Sequence, residues 1–266
     1  MDLGVIILLL IFGIIFGVIS SLAGIGGGAL YMSLMILLLA IPIDEARNTS
    51  TFIIFLFSCV TFISYYRQGK VDLKLTLIFA SFALMGSITA TVVFLIYPVN
   101  NSALKVIIAS IVLISGINMI RKVIASYNSD KKNLGVTIIE FSFENYDYKS
   151  NLKKGILLFF FVGFIAYLSG IGGGLLFVPI LCILFRIPIH YSTAISSSMI
   201  FFIGIYNTSA RMLFSEIHYV VGILIGIGAI TGSLMGAKLS NKIPKNYLQF
   251  LVAAVLILLA IRMYFV

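Results

Sequence analysis

Apolar runs of about twenty residues, the length that crosses a bilayer as a helix, recur along this chain between short polar or glycine-rich breaks. The first covers about Leu3 to Leu22 and ends at Gly24-Ile25-Gly26-Gly27-Gly28. A shorter run, about Ala29 to Ile41, closes at Pro42, and Asp44-Glu45-Ala46-Arg47 opens a helix continuing to about Tyr66. Acidic residues in that first turn suit the positive end of the helix dipole. Arg67-Gln68-Gly69-Lys70 leads into a helix over about Leu73 to Tyr97, and Pro98-Val99-Asn100-Asn101 forms an uncharged turn. A further helix runs from about Leu104 to Ile120, before Arg121-Lys122.

The plan then repeats. A helix ends near Leu168, Gly170-Ile171-Gly172-Gly173-Gly174 follows, and a short apolar run reaches Ile187. Helices over about His190 to Phe214, His218 to Leu239 and Tyr247 to Phe265 complete the pattern. The two glycine clusters are 146 positions apart, and the same offset relates Ile41-Pro42-Ile43 to Ile187-Pro188-Ile189, Ser50 to Ser196, and Gly86-Ser87 to Gly232-Ser233. An ungapped register of this length marks an internal repeat. The predicted regions are residues 1–125, a first membrane repeat; 126–154, a polar cytoplasmic linker; and 155–266, a second membrane repeat. Within the linker, the run from Val136 to Phe143 has the composition of a short strand.

Composition fixes the class. The chain is 61% hydrophobic and 10% charged, with mean hydropathy +1.16, whereas soluble domains are nearer half apolar and a quarter charged. The expected fold is an all-α polytopic membrane protein. Its net charge of +9 does not indicate nucleic acid, because Lys and Arg cluster in loops as the positive-inside bias requires. Cys59 and Cys182 fall inside apolar runs and read as buried small hydrophobes. The start, Met1-Asp2-Leu3, lacks a basic region and a small-residue cleavage site, so the first apolar run is expected to be a retained helix.

Charge also predicts orientation. Arg67, Lys70 and Lys74 place the loop before Leu73 in the cytoplasm, as Lys238, Lys242 and Lys245 do for the loop after Leu239. These loops are not repeat equivalents, so the two repeats are expected to be inverted, with both chain ends external. The short runs after the glycines, about thirteen residues or about 20 Å, fall short of a hydrocarbon core about 30 Å thick. Each repeat is therefore expected to hold a glycine-broken or re-entrant hairpin plus about three full transmembrane helices, making eight to ten hydrophobic segments in all.

Inverted repeats with broken helices at matching positions are the sequence signature of a secondary transporter and of its midplane site. Half-helix N-termini offer N–H groups and positive dipole ends to an anion. The candidate substrate-binding residues are Gly24, Gly26, Gly27, Gly28, Gly170, Gly172, Gly173 and Gly174, with a polar set after each proline: Arg47, Asn48, Thr49 and Ser50 in the first half, and Ser196, Ser197 and Asn207 in the second. Hydroxyls and amides donate to an oxyanion at lower desolvation cost than buried cations. Each Ser or Thr also has a structural alternative, bonding backbone or bridging helices for about 0.6 kcal/mol on average. Arg47 reads equally as a snorkelling anchor and as a counter-charge to substrate, Arg211 as an anchor or ion-pair member. His190 and His218 open the question of proton coupling. Gly27→Val or Gly173→Val is expected to abolish transport with folding near normal.

No GxGxxG, GxxxxGK[ST], HExxH, nucleophile elbow or paired intramembrane carboxylate is present, so the expectation is a non-enzyme with no cofactor and no metal site. The expected partners are a small anionic substrate, a proton or sodium ion coupled to it, the lipid bilayer and, as an oligomer, further copies of the chain. A passive anion channel and a non-transporting assembly or sensor subunit are the alternatives.

At the twin L-x-G-I-G-G-G segments this chain resembles the sulfite exporter TauE/SafE family. The matching residues are Gly24, Gly26, Gly27, Gly28, Pro42 and Thr49-Ser50, then Gly170, Gly172, Gly173, Gly174, Pro179, Pro188 and Ser196-Ser197. Gly69-Lys70-Val71-Asp72 also looks like the family's G-x-[VI]-[DN] turn. The resemblance implies a multi-pass plasma-membrane transporter of small sulfur-containing anions, such as sulfite, sulfoacetate or other organosulfonates, usually working in the export direction. Ser215-Glu216-Ile217-His218 departs from the turn pattern in the second half, and the linker is longer and more charged than the family pattern.

Overall fold

A computed structural model describes residues 3–96, 151–214 and 216–239, with single positions between 106 and 124 and between 250 and 261. The strand expected at Val136 to Phe143, the Pro98 turn and most of the linker lie outside the described residues, as do many positions of the expected helix Leu104 to Ile120 and most of Tyr247 to Phe265. Eight helices are described in full: α1 (Leu3–Ala23), α2 (Gly28–Leu39), α3 (Ile43–Arg67), α4 (Leu73–Ile96), α5 (Leu152–Ser169), α6 (Gly174–Ile183), α7 (Ile189–Phe214) and α8 (Tyr219–Leu239). No β-strand occurs among the described residues. Five of these helices, α1, α3, α4, α5 and α8, are long and apolar enough to cross a membrane. The chain is an all-α, multi-pass membrane protein.

The breaks form where the glycine and proline signals put them. α2 and α6 have 12 and 10 residues, or about 18 and 15 Å at 1.5 Å per residue, roughly half a hydrocarbon core. Each is capped by a glycine in the left-handed region, Gly27 at φ 66° and Gly173 at φ 74°, a conformation that costs glycine nothing. Both short helices are followed by a non-glycine residue with positive φ at the same repeat position, Ala40 at 51° and Arg186 at 53°. Pro42 and Pro188 then prevent the short helix from continuing.

Helix packing repeats as well. α1 lies on α8 as α5 lies on α4; α3 meets α8 as α7 meets α4; α2 packs on α3 as α6 packs on α7. The contact of α3 with α7 is its own counterpart. Small residues allow the closest of these approaches. A Cβ on Gly17 or Gly232 of the α1–α8 pair would overlap the backbone of Ala229 or Ile14, and at the repeat-equivalent Gly163 and Gly86 it would overlap Ala83 or Phe160. Bilayer helices associate through such close van der Waals packing. Directions follow from the partners: α1 and α8 run parallel, with Gly13 beside Gly228 and Val18 beside Gly236. α3 and α7 run antiparallel, with Asn48 bonded to Arg211, Thr51 to Thr208, and Phe62 stacked on Phe201.

At the centre the two glycine loops cross and touch. A Cβ on Gly28 would lie 2.7 Å from the Gly170 oxygen, and one on Gly174 would lie 2.6 Å from the Gly24 oxygen. Each loop is also held by the long helix of the other half. Ser50 Oγ of α3 donates to the Gly170 carbonyl at 2.8 Å, and Ser196 Oγ of α7 donates to the Gly24 carbonyl at 3.0 Å. Apolar side chains seal the crossing in the same reciprocal way, Ile200 against Gly26 and Ile54 against Gly172.

Two outcomes test this account. Ser50→Ala and Ser196→Ala should each destabilise the purified protein by about 1 kcal/mol in SDS-titrated unfolding, and by similar amounts, because each removes the same bond from opposite halves. Gly86→Val and Gly232→Val should each cost about 2 kcal/mol or more by forcing apart a packed pair. Gly4→Val, with nothing within 4 Å of its added Cβ, should unfold like the parent.

Candidate functional site

Two arginines mark the site. Arg47, one turn into α3, and Arg211, one turn before the end of α7, are each 2% exposed. Because α3 and α7 are antiparallel neighbours, both arrive at the same end of the pair. Each guanidinium lies over an aromatic ring, Arg47 Cζ 4.6 Å from the Phe94 centroid and Arg211 Cζ 4.6 Å from that of Tyr167. This is cation–π packing, which suits a weakly hydrated, planar cation. Arg211 donates to Asn48 Oδ1 and to the Tyr167 carbonyl. Arg47 lies 3.4 Å from Asp44 Oδ1 through Nη2.

Charge and hydrogen bonding are both incomplete here. Among the described residues, Asp44 is the only carboxylate within ion-pair distance of either arginine. Arg47 Nε and Nη1 and Arg211 Nε are buried donors without a partner among the described residues. Buried polar groups are nearly always satisfied, and a buried charge is tolerated when paired. Two buried guanidiniums, only one of them paired with a carboxylate, leave a surplus positive charge and three free N–H directions. That arrangement suits a small anion.

A narrow cleft, with room for about one water molecule, lies alongside, lined by Thr51, Ile54, Ala166, Gly172, Ile200, Ile203, Gly204 and Asn207. Asn207 sits one turn before Arg211 on α7, Thr51 one turn after Arg47 on α3, and Ala166 precedes Tyr167, so the cleft and the arginine pair share their walls. Asn207 is 5% exposed, and its Oδ1 has no partner among the described residues. Asn48 and Thr49 close the outer rim by binding the loop before α8. Asn48 Nδ2 donates to the Glu216 carbonyl at 3.0 Å, and Thr49 Oγ1 accepts from the His218 N–H at 2.9 Å.

The structure sorts the sequence candidates into groups. Arg47, Asn48 and Asn207 gather at the arginine end, and Gly172 is the candidate glycine that lines the cleft. Gly24, Gly28, Gly170 and Gly174 meet each other or the opposite long helix, so backbone fills the space between the loops. Ser50 and Ser196 clamp those loops, and Ser197 donates to its own helix at Thr193 O. The hydroxyls thus take up the backbone alternative. Neither arginine snorkels. Arg211 in particular is a buried donor at the centre of the network, where the sequence suggested an anchor; its spacing from Asn207, i to i+4 on one helix face, is the signal that could have found it. Gly27 and Gly173 are not clean probes of a site either. A Cβ on Gly27 would meet Tyr31 Cε2 at 2.8 Å and one on Gly173 would meet Phe177 Cε2 at 2.8 Å, on top of the left-handed backbone, so valine there disturbs folding as well as function.

Comparison with known proteins places this geometry in context. The chain is 27% identical to the probable membrane transporter protein YunE of Bacillus subtilis over 97% of this chain and 96% of that one. It is 26% identical to the probable membrane transporter protein MJ0441 of Methanocaldococcus jannaschii, over 94% and 91% of the two chains. With the probable membrane transporter protein YdhB of Bacillus subtilis it shares 34% identity over 40% of this chain and 43% of that one. No solved structure matches it. The family described as Sulfite exporter TauE/SafE matches residues 9–263. A multi-pass helical chain with twin glycine breaks, matched over nearly its whole length, belongs to the sulfite exporter TauE/SafE family of membrane transporters.

Proposed function

We propose that this membrane transporter carries small anions, sulfite or organosulfonates first among them, across the plasma membrane. Movement is by alternating access of two inverted repeats, and net transport is export, as the family description suggests for its members. The observation that carries the reading is the buried arginine pair. A guanidinium within a membrane costs several kcal/mol unless compensated, and here, beside a cleft, Arg47 has one carboxylate and Arg211 only neutral partners. An entering anion supplies the missing charge and accepts from the free Arg47 and Arg211 N–H groups. Asn207 offers its amide from the cleft.

The antiparallel run of the repeat-equivalent helices α3 and α7 supports inversion, as do the basic loops after α3 and α8, which belong to opposite repeat positions. Under the positive-inside rule the arginine pair lies toward the external face. Proton or sodium coupling supplies the driving force in this reading.

Uptake by proteoliposomes tests it. Sulfite, sulfate, sulfoacetate, taurine and acetate are offered with and without a pH gradient. Saturable uptake of a sulfur oxyanion, absent for acetate, is expected. Flux that rises linearly with concentration would favour the channel alternative, and no flux from folded protein would defeat the proposal. Within the same assay, Arg211→Gln should lower apparent affinity by roughly thirtyfold, the effect of truncating a buried charged partner, and Asn207→Ala by about tenfold. Unchanged KM in both variants would remove the arginine end from the transport path.

A further inference from the structure

Asp44 is the one acidic side chain that reaches the arginine pair among the described residues, and its placement is unusual for a structural ion pair. Its carboxylate contacts only Arg47 Nη2, at 3.4 Å, looser than the 2.7–2.9 Å typical of a charge-assisted hydrogen bond. The partners differ sharply in burial, the Arg47 side chain being 2% exposed and that of Asp44 37%. Asp44 precedes Arg47 by three residues, in the first turn of α3, where the helix dipole favours its charge whether or not Arg47 is engaged. A change of side-chain rotamer is therefore enough to release it to water. The two nitrogens it leaves free on Arg47, Nε and Nη1, are buried and without partners among the described residues.

We propose that Asp44 is a resident surrogate anion: its carboxylate holds the Arg47–Arg211 seat in the empty protein and is displaced when a small oxyanion binds. The inference rests on the anion site proposed above. An oxyanion with two or more oxygens takes the Arg47 Nε edge and Arg211 Nε, both of which Asp44 leaves open. Once it is seated, Asp44 becomes a like-charged neighbour, and repulsion drives its carboxylate outward. Release also frees Asp44 to shift toward the rim at Asn48 and Thr49, where α3 is tied to the loop before α8. Competition of this kind sets affinity low enough for the anion to leave again, which a carrier requires.

The test is binding of sodium sulfite to the purified full chain in detergent, by isothermal titration calorimetry, with sodium gluconate holding ionic strength constant. Asp44→Asn removes both competitor and repulsion, so its Kd should be about tenfold lower than that of the parent, a coupling typical of linked sites. Asp44→Ser should move the same way, which guards against a fault peculiar to asparagine, and Asp44→Glu should stay near the parent. A second readout is thermal stability. The neutral variants lose the seat's carboxylate and should be less stable than the parent without sulfite, then gain more from saturating sulfite than the parent gains. Parent binding with an unchanged or weaker Kd in both neutral variants would overturn the role of Asp44 while leaving the anion site intact. Absence of sulfite binding in the parent and in both neutral variants, all shown to be folded, would overturn this inference together with the site for sulfite.

Discussion

Backbone without side chains, meeting backbone without side chains, is the constraint on which this molecule is built. The loops at Gly24–Gly28 and Gly170–Gly174 cross so closely that a single methyl group on Gly28 or Gly174 would overlap a peptide of the other loop. Irregular backbone within a membrane must be buried by protein or line a cavity, and here each loop buries the other. The hydroxyls of Ser50 and Ser196 satisfy the carbonyls that the crossing exposes. Once the loops are fixed, α3 must lie beside the glycines of the second half and α7 beside those of the first, which brings Arg47, Asn48 and Arg211 together from distant positions in the chain.

On this nearly symmetric frame the chemistry is one-sided. The repeat equivalent of Arg47 is Thr193, and that of Arg211 is Tyr65. The geometry is kept even where the residue changes: Arg211 donates to the carbonyl of Tyr167, and Tyr65 donates at 2.8 Å to the carbonyl of Ser21, the equivalent residue. One scaffold position thus holds a donor to the end of its own half's first helix. In one copy that donor carries a full charge and in the other it is neutral. Symmetry supplied the framework, and its local loss supplied the surplus charge.

Much of this was legible in the sequence because it is periodic or punctuated. The register of 146 marks the repeat, glycines mark the breaks, prolines mark the stops, and the resulting helix limits agree with α1, α3, α7 and α8 to within a residue or two. What could not be read was proximity between halves. Ser50 resembles any helix serine until Gly170 is seen beside it, and Arg211, near a helix end, resembles an interface anchor until antiparallel packing turns that end toward Arg47. The space between the glycines could not be read either. The absence of side chains suggests room for a ligand, whereas here it permits contact, and the cleft opens to one side at Gly172, Thr51 and Asn207.

The unequal charge has an energetic consequence for any carrier built on inverted repeats. If the two halves were identical, exchanging their conformations would produce states of equal energy, and an empty carrier would populate both. A guanidinium pair at one end of the α3–α7 contact, with Thr193 and Tyr65 at the equivalent positions of the other end, removes that degeneracy, because burying it more deeply or opening it to water changes the free energy in one state alone. A shift of 1.4 kcal/mol is tenfold in population, and desolvating a charge readily exceeds that. An anion that neutralises the pair reduces the difference and brings the two states closer in energy. Neutralisation would then permit the motion as well as the binding, and a substrate lacking charge would gain neither.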